Sequence, residues 1–486
     1  MNSSHFEPIS IESTHARRGH GFHIFLAIVG IAIALGLYVG SASGFFTQQA
    51  SMLIVLCCGL ILLPLIFMDP VHGLVVYALL APISLEFQIS GIELRVHDPL
   101  AVLILLGIII QALKSSRPLP RLRCKKVLIA YALVALGVTV FGMMFMARGR
   151  PPSIFHALKV VQYVVIAIAA GLSIRTRRDL RMVVGGFIGG LVLLAAQLGW
   201  DAGYVVGRTT GAAVNEKANV LSVYLAVASA VVLGCADRVK DKMAVVGLMA
   251  LMLIASYAML LTKSRSGYAS LGVVLVVSVF VMRRKFIPLS VLSLGALAFF
   301  SKEDLFARAT TIGAAVGIGE DSSFDARMIA YSLIWRQTSS QPLTLLFGEG
   351  RGVEGLAYAD TQWGIEFLYG GLLGLLATIA MIGGVLWFSI QTWRKSRHYS
   401  PTLGAAATAA MLAMVAASVS TFGLTSWSSI RLAEAIFIMI GVAMAADRIM
   451  RREDNLMDSM RQNPRVPASA TVPREQPQRE KLKFDY

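Results

Sequence analysis

Charge is what this chain has least of. Only 15% of its 486 residues are Asp, Glu, Lys or Arg, against 56% hydrophobic residues, and the mean hydropathy is +0.68. Such a balance excludes an ordinary water-soluble globular domain. Acidic residues are the scarcer sign, 28 Asp and Glu against 44 Lys and Arg. Cysteine is nearly absent. The four that occur (Cys57, Cys58, Cys124 and Cys235) lie in apolar runs or a basic loop, with no metal-ligand spacing and no evident disulfide plan.

Long apolar runs are abundant instead. Stretches of about 20 residues, enough to cross a ~30 Å hydrocarbon core, recur along most of the length. They predict about 14 spans, near 22–40, 50–68, 70–88, 98–114, 126–146, 152–174, 180–200, 218–235, 243–262, 266–282, 286–300, 364–391, 402–422 and 430–446. The tight connection "FMDPVHG" could instead join a re-entrant pair. The first run follows Arg17 and Arg18 but has no convincing small-residue cleavage site, so it reads as a retained helix. The expected fold class is an all-α polytopic membrane protein.

The net charge of +16 would suggest nucleic acid in a soluble protein. Here most of the surplus falls in short alternate loops, "KSSRPLPRLRCKK", "RTRRDLR", "ADRVKDK", "RRK", "WRKSRH" and "DRIMRRED". The positive-inside rule makes that side the cytoplasm, with both termini inside and no nucleic-acid partner. The expected regions are a cytoplasmic tail at 1–21, eleven helices over 22–300, a large outer loop at 301–363, three helices over 364–446 and a tail at 447–486. That tail turns Pro-rich and polar and reads as disordered. Within the large loop, residues 324–339 predict an amphipathic helix lying on the outer face. Arg327, Tyr331 and Trp335 share one side of it.

The outer side carries cations that the orientation rule does not predict: Arg148, Arg150, Arg208, Lys217, Lys263, Arg265, Arg308, Arg327, Arg336 and Arg351. One reading is snorkelling, in which long side chains reach headgroups and do nothing else. The other is a site, because a charge near the bilayer core costs on the order of 2.5–3.5 kcal/mol or more and usually faces a cavity or partner. A guanidinium fork matches phosphate oxygens. A polyprenyl diphosphate would place its tail in lipid, its phosphates at the interface and its sugar outside. Arg265, with Lys263 nearby, is the leading candidate to hold it.

Four stretches, taken in order, carry a resemblance. They are "RTTGAAVNEKANVLSVYL" (208–225), "LLTKSRSGYASLGVVL" (260–275), "DARMIAYSLIWRQTSSQPLTLLFGEGRG" (325–352) and "YADTQWGIEFLYGGLLGLL" (358–376). Over roughly residues 200–380 the chain resembles the O-antigen ligase and polysaccharide polymerase family of bacterial inner-membrane glycosyltransferases. The first 200 residues match only as generic spans. The resemblance implies a C-type glycosyltransferase fold, an outward-facing cavity near the large periplasmic loop, and neither cofactor nor catalytic metal. No Asp-x-Asp pair of the metal–nucleotide kind is present. It also implies that Arg208, Arg265 and Arg327 bind the donor diphosphate, with Arg351 a weaker candidate.

Where ligases of the family carry a His-Asn pair ahead of the Gly-Leu-Leu-Gly helix, this chain has Asp360 and Thr361. That departure leans toward a polymerase joining undecaprenyl-diphosphate-linked repeats, by metal-independent inverting transfer, for exopolysaccharide, capsule or O-antigen. Asp360 could accept the proton of the attacking hydroxyl. Equally, it could cap the following span or pair with an outer arginine. The alternatives are a ligase, which differs in acceptor, and a flippase or transporter of lipid-linked oligosaccharide. Carriers usually show internal repeats, and none is evident here. Expected partners are the lipid-linked oligosaccharide, membrane lipid, a chain-length regulator and a flippase. Arg431 and Glu434 are spaced for a structural pair, and Glu366 for the same cavity as Asp360. Glu86 lies in or near a span. His72 and His156 stand alone, as packed or headgroup-facing residues. Trp335, Tyr358 and Trp363 could stack on sugar, but interfacial belt residues are the safer reading.

Overall fold

The protein is described here from a computed structural model, which describes residues 63–82, 86–89, 92–114, 120–145, 154–201, 218–262, 264–282, 295, 322–351, 361–427 and 430–462. The expected span at 22–40, all but residue 295 of that at 286–300, and most of that at 50–68 lie outside these residues.

Asp69 opens helix α1 (Pro70–Leu80). Its carboxylate accepts the Val71 N–H at 3.1 Å, and Pro70 takes the first helical position, where a missing N–H costs nothing. The expected span at 70–88 is not formed. At 11 residues α1 is too short to cross a bilayer, and the chain continues into an antiparallel hairpin, β1 (Glu86–Ile89) and β2 (Ile92–Arg95). The sequence there alternates as Glu-Phe-Gln-Ile and Ile-Glu-Leu-Arg around Ser-Gly. That is the period of a strand pair rather than a helix.

The next helices follow the apolar runs closely: α2 (His97–Lys114), α3 (Lys125–Phe145), α4 (Ile154–Ser173), α5 (Arg177–Asp201), α6 (Ala218–Ala236), α7 (Lys242–Leu261) and α8 (Arg265–Val281). Within the expected large loop stand α9 (Ser322–Ser339) and the short α10 (Pro342–Phe347). The chain closes with α11 (Gln362–Ser396), α12 (Pro401–Ser420) and α13 (Ile430–Gln462). The last helix runs well past 446, so the first part of the expected tail is helical. Among the described residues, seven helices (α2, α3, α4, α6, α7, α11 and α12) are long and apolar enough to cross a membrane. The chain is a polytopic helical membrane protein.

Helices α6 and α12 form the centre, and the first half of α13 is buried beside them. Lipid supplies no hydrophobic drive between helices, so close packing of small side chains must hold them. A Cβ on Gly234 of α6 would lie 2.5 Å from the backbone nitrogen of Ala409 in α12. One on Gly441 of α13 would lie 2.4 Å from the Ala170 side chain of α4. The periphery is the reverse. Leu253, Ile254 and Tyr257 on α7, and Leu106 and Ile109 on α2, face outward, as lipid-facing positions do.

The basic loops gather at one end. Arg177 bonds Glu453 at 2.9 Å, Lys395 bonds Asp454 at 2.9 Å, and Arg451 bonds Asp447 at 2.8 Å. Hydrogen bonds from Lys395 and then Tyr399 hold the Asp454 carboxyl below the usual carboxylate range. The first two contacts fasten the extension of α13 to the start of α5 and the end of α11, and the third braces α13 along its own length. That is why a polar, charged stretch remains helical beyond the apolar run.

The small-residue packing predicts a contrast. Replacing Gly234 by leucine should overpack the α6–α12 contact and destabilise the protein by about 1–3 kcal/mol. Gly247→Ala meets open space and should leave stability unchanged or slightly raised. Thermal unfolding of detergent-solubilised variants measures both. Equal melting of the two variants would contradict the packing described.

Candidate functional site

At the other end of the bundle a glycine-rich turn enters among the helices. After α10 the chain reads Gly-Glu-Gly-Arg. Gly348 and Gly350 take φ of 70° and 92°, a region that L side chains rarely adopt. The turn docks on a break in α11. Gly371 has φ 56°, so the helix is interrupted there and carbonyls of the preceding turn lose their helical partners. The turn supplies new ones: the Glu349 N–H donates to the Leu368 carbonyl and the Gly350 N–H to the Tyr369 carbonyl, both at 2.9 Å. The fit needs bare glycine on three sides. A Cβ on Gly348 or Gly371 would strike backbone at 2.5 Å, and one on Gly142 of α3 would lie 2.4 Å from the Glu349 carbonyl.

The turn delivers Arg351 into the protein. Its side chain is 3% exposed, and it donates to Glu366 of α11 at 2.5 Å and to the Tyr131 hydroxyl of α3 at 3.3 Å. The Gln362 amide donates to Glu366 at 2.8 Å, and the Gln362 side-chain oxygen accepts the Trp427 N–H at 3.0 Å. The Arg351 N–H donates to Thr139 at 3.3 Å. One buried ion pair therefore joins α3, the glycine turn, the start of α11 and the connector between α12 and α13. The Arg351 Nε has no hydrogen-bond partner.

The same end holds the first turn of α8, within the stretch "LLTKSRSGYASLGVVL". Gly267 is buried against α6, where a Cβ would lie 2.5 Å from that of Ser222. Ser264 stands at the N-cap, but its hydroxyl pairs with that of Ser266 at 3.0 Å and does not cap the helix. Ser266 in turn abuts Gly423 in the α12–α13 connector. Arg265 is exposed there, at the positive end of the helix dipole. On α9, Tyr331 hydrogen-bonds Thr361, the N-cap of α11, and Trp335 stacks on Phe367 with centroids 5.7 Å apart. Arg327 lies one turn before Tyr331 and is half-buried. Contacts therefore run from the start of α8, through Ser266, Gly423, the connector and Thr361, to the helix bearing Arg327.

Of the residues singled out in the sequence, Arg265, Arg327 and Arg351 are described, while Asp360, Arg208 and Lys263 lie outside the described residues, as does Tyr358. Arg351 and Glu366 come together, although they were read separately. The side chain of Arg431 is outside the description. Glu434 lies 3.7 Å from His97 of α2. His72 donates from Nδ1 to the Asp69 carbonyl at 3.3 Å, and His156 is exposed. Trp363 packs against Phe422, with centroids 5.9 Å apart.

Sequence reading missed Tyr131, Gln362 and Thr139, and a second polar group at the start of α2. There Asp98 bonds Lys159, accepts from Gln162 at 3.1 Å, and accepts the Arg95 N–H at 3.1 Å. Lys159 lies inside an apolar run, where a cation is rare, and that was the available signal. The chain matches no protein-family model, and no curated protein is significantly similar to it.

Removing one partner of the buried pair should be far worse than removing both. Arg351→Ala strands Glu366 and should destabilise by about 3–5 kcal/mol, whereas Arg351→Met with Glu366→Leu should recover most of that. Melting temperatures in detergent test this. An Arg351→Ala protein as stable as the parent would show that the pair does not hold the turn.

Proposed function

We propose that this protein is a polysaccharide polymerase of the bacterial inner membrane, joining undecaprenyl-diphosphate-linked repeats on the periplasmic face, with both termini in the cytoplasm. The observation that carries the reading is the gathering of the Arg265 helix start, the Arg327 helix and the α11 N-terminus at the end opposite the basic loops. The ordered resemblance over residues 200–380 supports it.

In this reading the acceptor hydroxyl attacks the anomeric carbon of the donor sugar and the bond to the diphosphate oxygen breaks. Asp360, next in the chain to Thr361, takes the hydroxyl proton. Arg265 and Arg327, with Arg208 and Lys263, meet the negative charge that builds on the leaving diphosphate. Cations placed in advance favour the transition state over the ground state. The positive end of the α8 dipole adds to this, as helix N-termini do for phosphates. Arg351, whose charge is matched by Glu366, holds the turn and the α11 start in place rather than contacting the donor. A ligase would use the same donor chemistry with another acceptor.

Arg265→Ala should lower polymer formation on the order of 10²–10³-fold while the protein still inserts at normal abundance. The strain should accumulate single lipid-linked repeats on the outer leaflet, measured by lipid extraction and leaflet-selective labelling. Normal polymer from Arg265→Ala would overturn the diphosphate assignment. Accumulation on the cytoplasmic leaflet would point to a flippase.

A further inference from the structure

The basic end contains a cavity of about 440 Å³ between α2, α4 and α13. Five arginines line it: Arg121, Arg175, Arg448, Arg451 and Arg452. Among the described residues, no carboxylate lines it. The acidic side chains nearby are turned to other work. Asp179 accepts the backbone N–H groups of Arg175 and Thr176 at 2.9 Å, Glu453 takes Arg177, and Asp454 takes Lys395. Asp447 bonds Arg451 at 2.8 Å and offsets one of the five charges.

Two of the other four arginines are held by neutral groups. Arg448 donates to the Leu172 carbonyl at 2.9 Å and to that of Ile174, so it closes the end of α4 where the helix dipole favours a cation. Arg175 donates to the Gln111 side chain at 3.0 Å. Burial, and then the charges of Arg175, Arg452 and Arg451, push the Arg448 guanidinium down to about 10, so these cations repel one another. Two donors facing this region lack partners: the Arg451 Nε and the Ser173 hydroxyl, the latter on a residue 5% exposed that lines the cavity. Ile108, Leu172 and Ile449 supply an apolar wall.

We propose that this cavity binds a phosphate-bearing anion, with the phosphate held by the arginine cluster and Ser173. The volume is in the range of small-ligand pockets. Arginine forks and a free hydroxyl are the donors that phosphate oxygens take. The cavity lies just past the apolar part of α13, which ends at Ala446, and one wall is apolar. A phosphodiester headgroup with the start of its acyl chains fits that combination, and a free polyphosphate shares only the polar half. The site is separate from the proposed transfer site, so its test does not depend on the polymerase reading.

The test uses purified full-length protein in neutral detergent, titrated in parallel with phosphatidylglycerol, phosphatidylcholine and inorganic pyrophosphate. Thermal shift and native mass spectrometry provide the readouts. Phosphatidylglycerol should bind saturably, at least tenfold more tightly than phosphatidylcholine, and raise the melting temperature. The double variant R175Q/R452Q changes two exposed side chains and should keep the parent melting temperature but lose that preference. R448Q should lose it too, with a lower starting stability because α4 loses its closing contacts. Stabilisation by pyrophosphate alone, abolished in R175Q/R452Q, would support the phosphate site and assign it a soluble ligand. Equal response to phosphatidylglycerol and phosphatidylcholine with no response to pyrophosphate, or a preference that survives in R175Q/R452Q, would overturn the proposal.

Discussion

The buried pair between Arg351 and Glu366 is the constraint on which the candidate end depends. Two charges withdrawn from water in a membrane protein are tolerable only when they face each other and most of their remaining polar atoms find partners. Tyr131 and Gln362 serve as those partners. The pair also settles a backbone problem. A helix broken inside a bilayer leaves carbonyls that lipid cannot satisfy. The break at Gly371 is allowed because the turn carrying Arg351 brings its own N–H groups to those carbonyls. Charge, glycine and broken helix are thus joined in one device.

That device fixes where the first turns of α11 point. Thr361 and Gln362 at its start receive Tyr331 from the loop helix and the backbone of the α12–α13 connector. The connector also carries Gly423, against which Ser266 of α8 is seated. Arg265 and Arg327 stand on elements braced through a single set of contacts. A site meant to meet charge as it develops needs that rigidity, since cations that must reorganise lose most of their advantage.

Much of this was legible in the sequence, and the failures have physical causes. Runs such as 126–146 and 218–235 marked their helices within a residue or two, because a span must be apolar throughout its length. The loop helix at 324–339 was visible from its spacing. The run at 70–88 misled because hydropathy alone cannot tell a membrane helix from an apolar helix followed by a hairpin. The alternation around Ser90 and Gly91 held the distinction. The helical extension beyond 446 was hidden because it is braced by ion pairs with helix ends distant in sequence. Arg351 and Glu366 were each noticed, but only the chain reversal at the glycine turn makes them partners.

The direction of the helices bears on how the two ends divide their roles. Both α8 and α11 begin at the candidate end and run toward the basic end. The loop helix α9, which packs against the start of α11, therefore belongs to the candidate end, far from the loops rich in lysine and arginine. At the basic end several cations meet carboxylates of α13, and the surplus collects around one cavity. At the candidate end the deeply buried arginine is matched within the protein, and those left nearer the surface stand at helix starts and beside aromatic rings. Cations of the first kind fasten helices and hold the orientation. In the proposed reading, those of the second kind meet an anionic group arriving from the lipid interface, and that placement is what would distinguish a site from a row of snorkelling side chains.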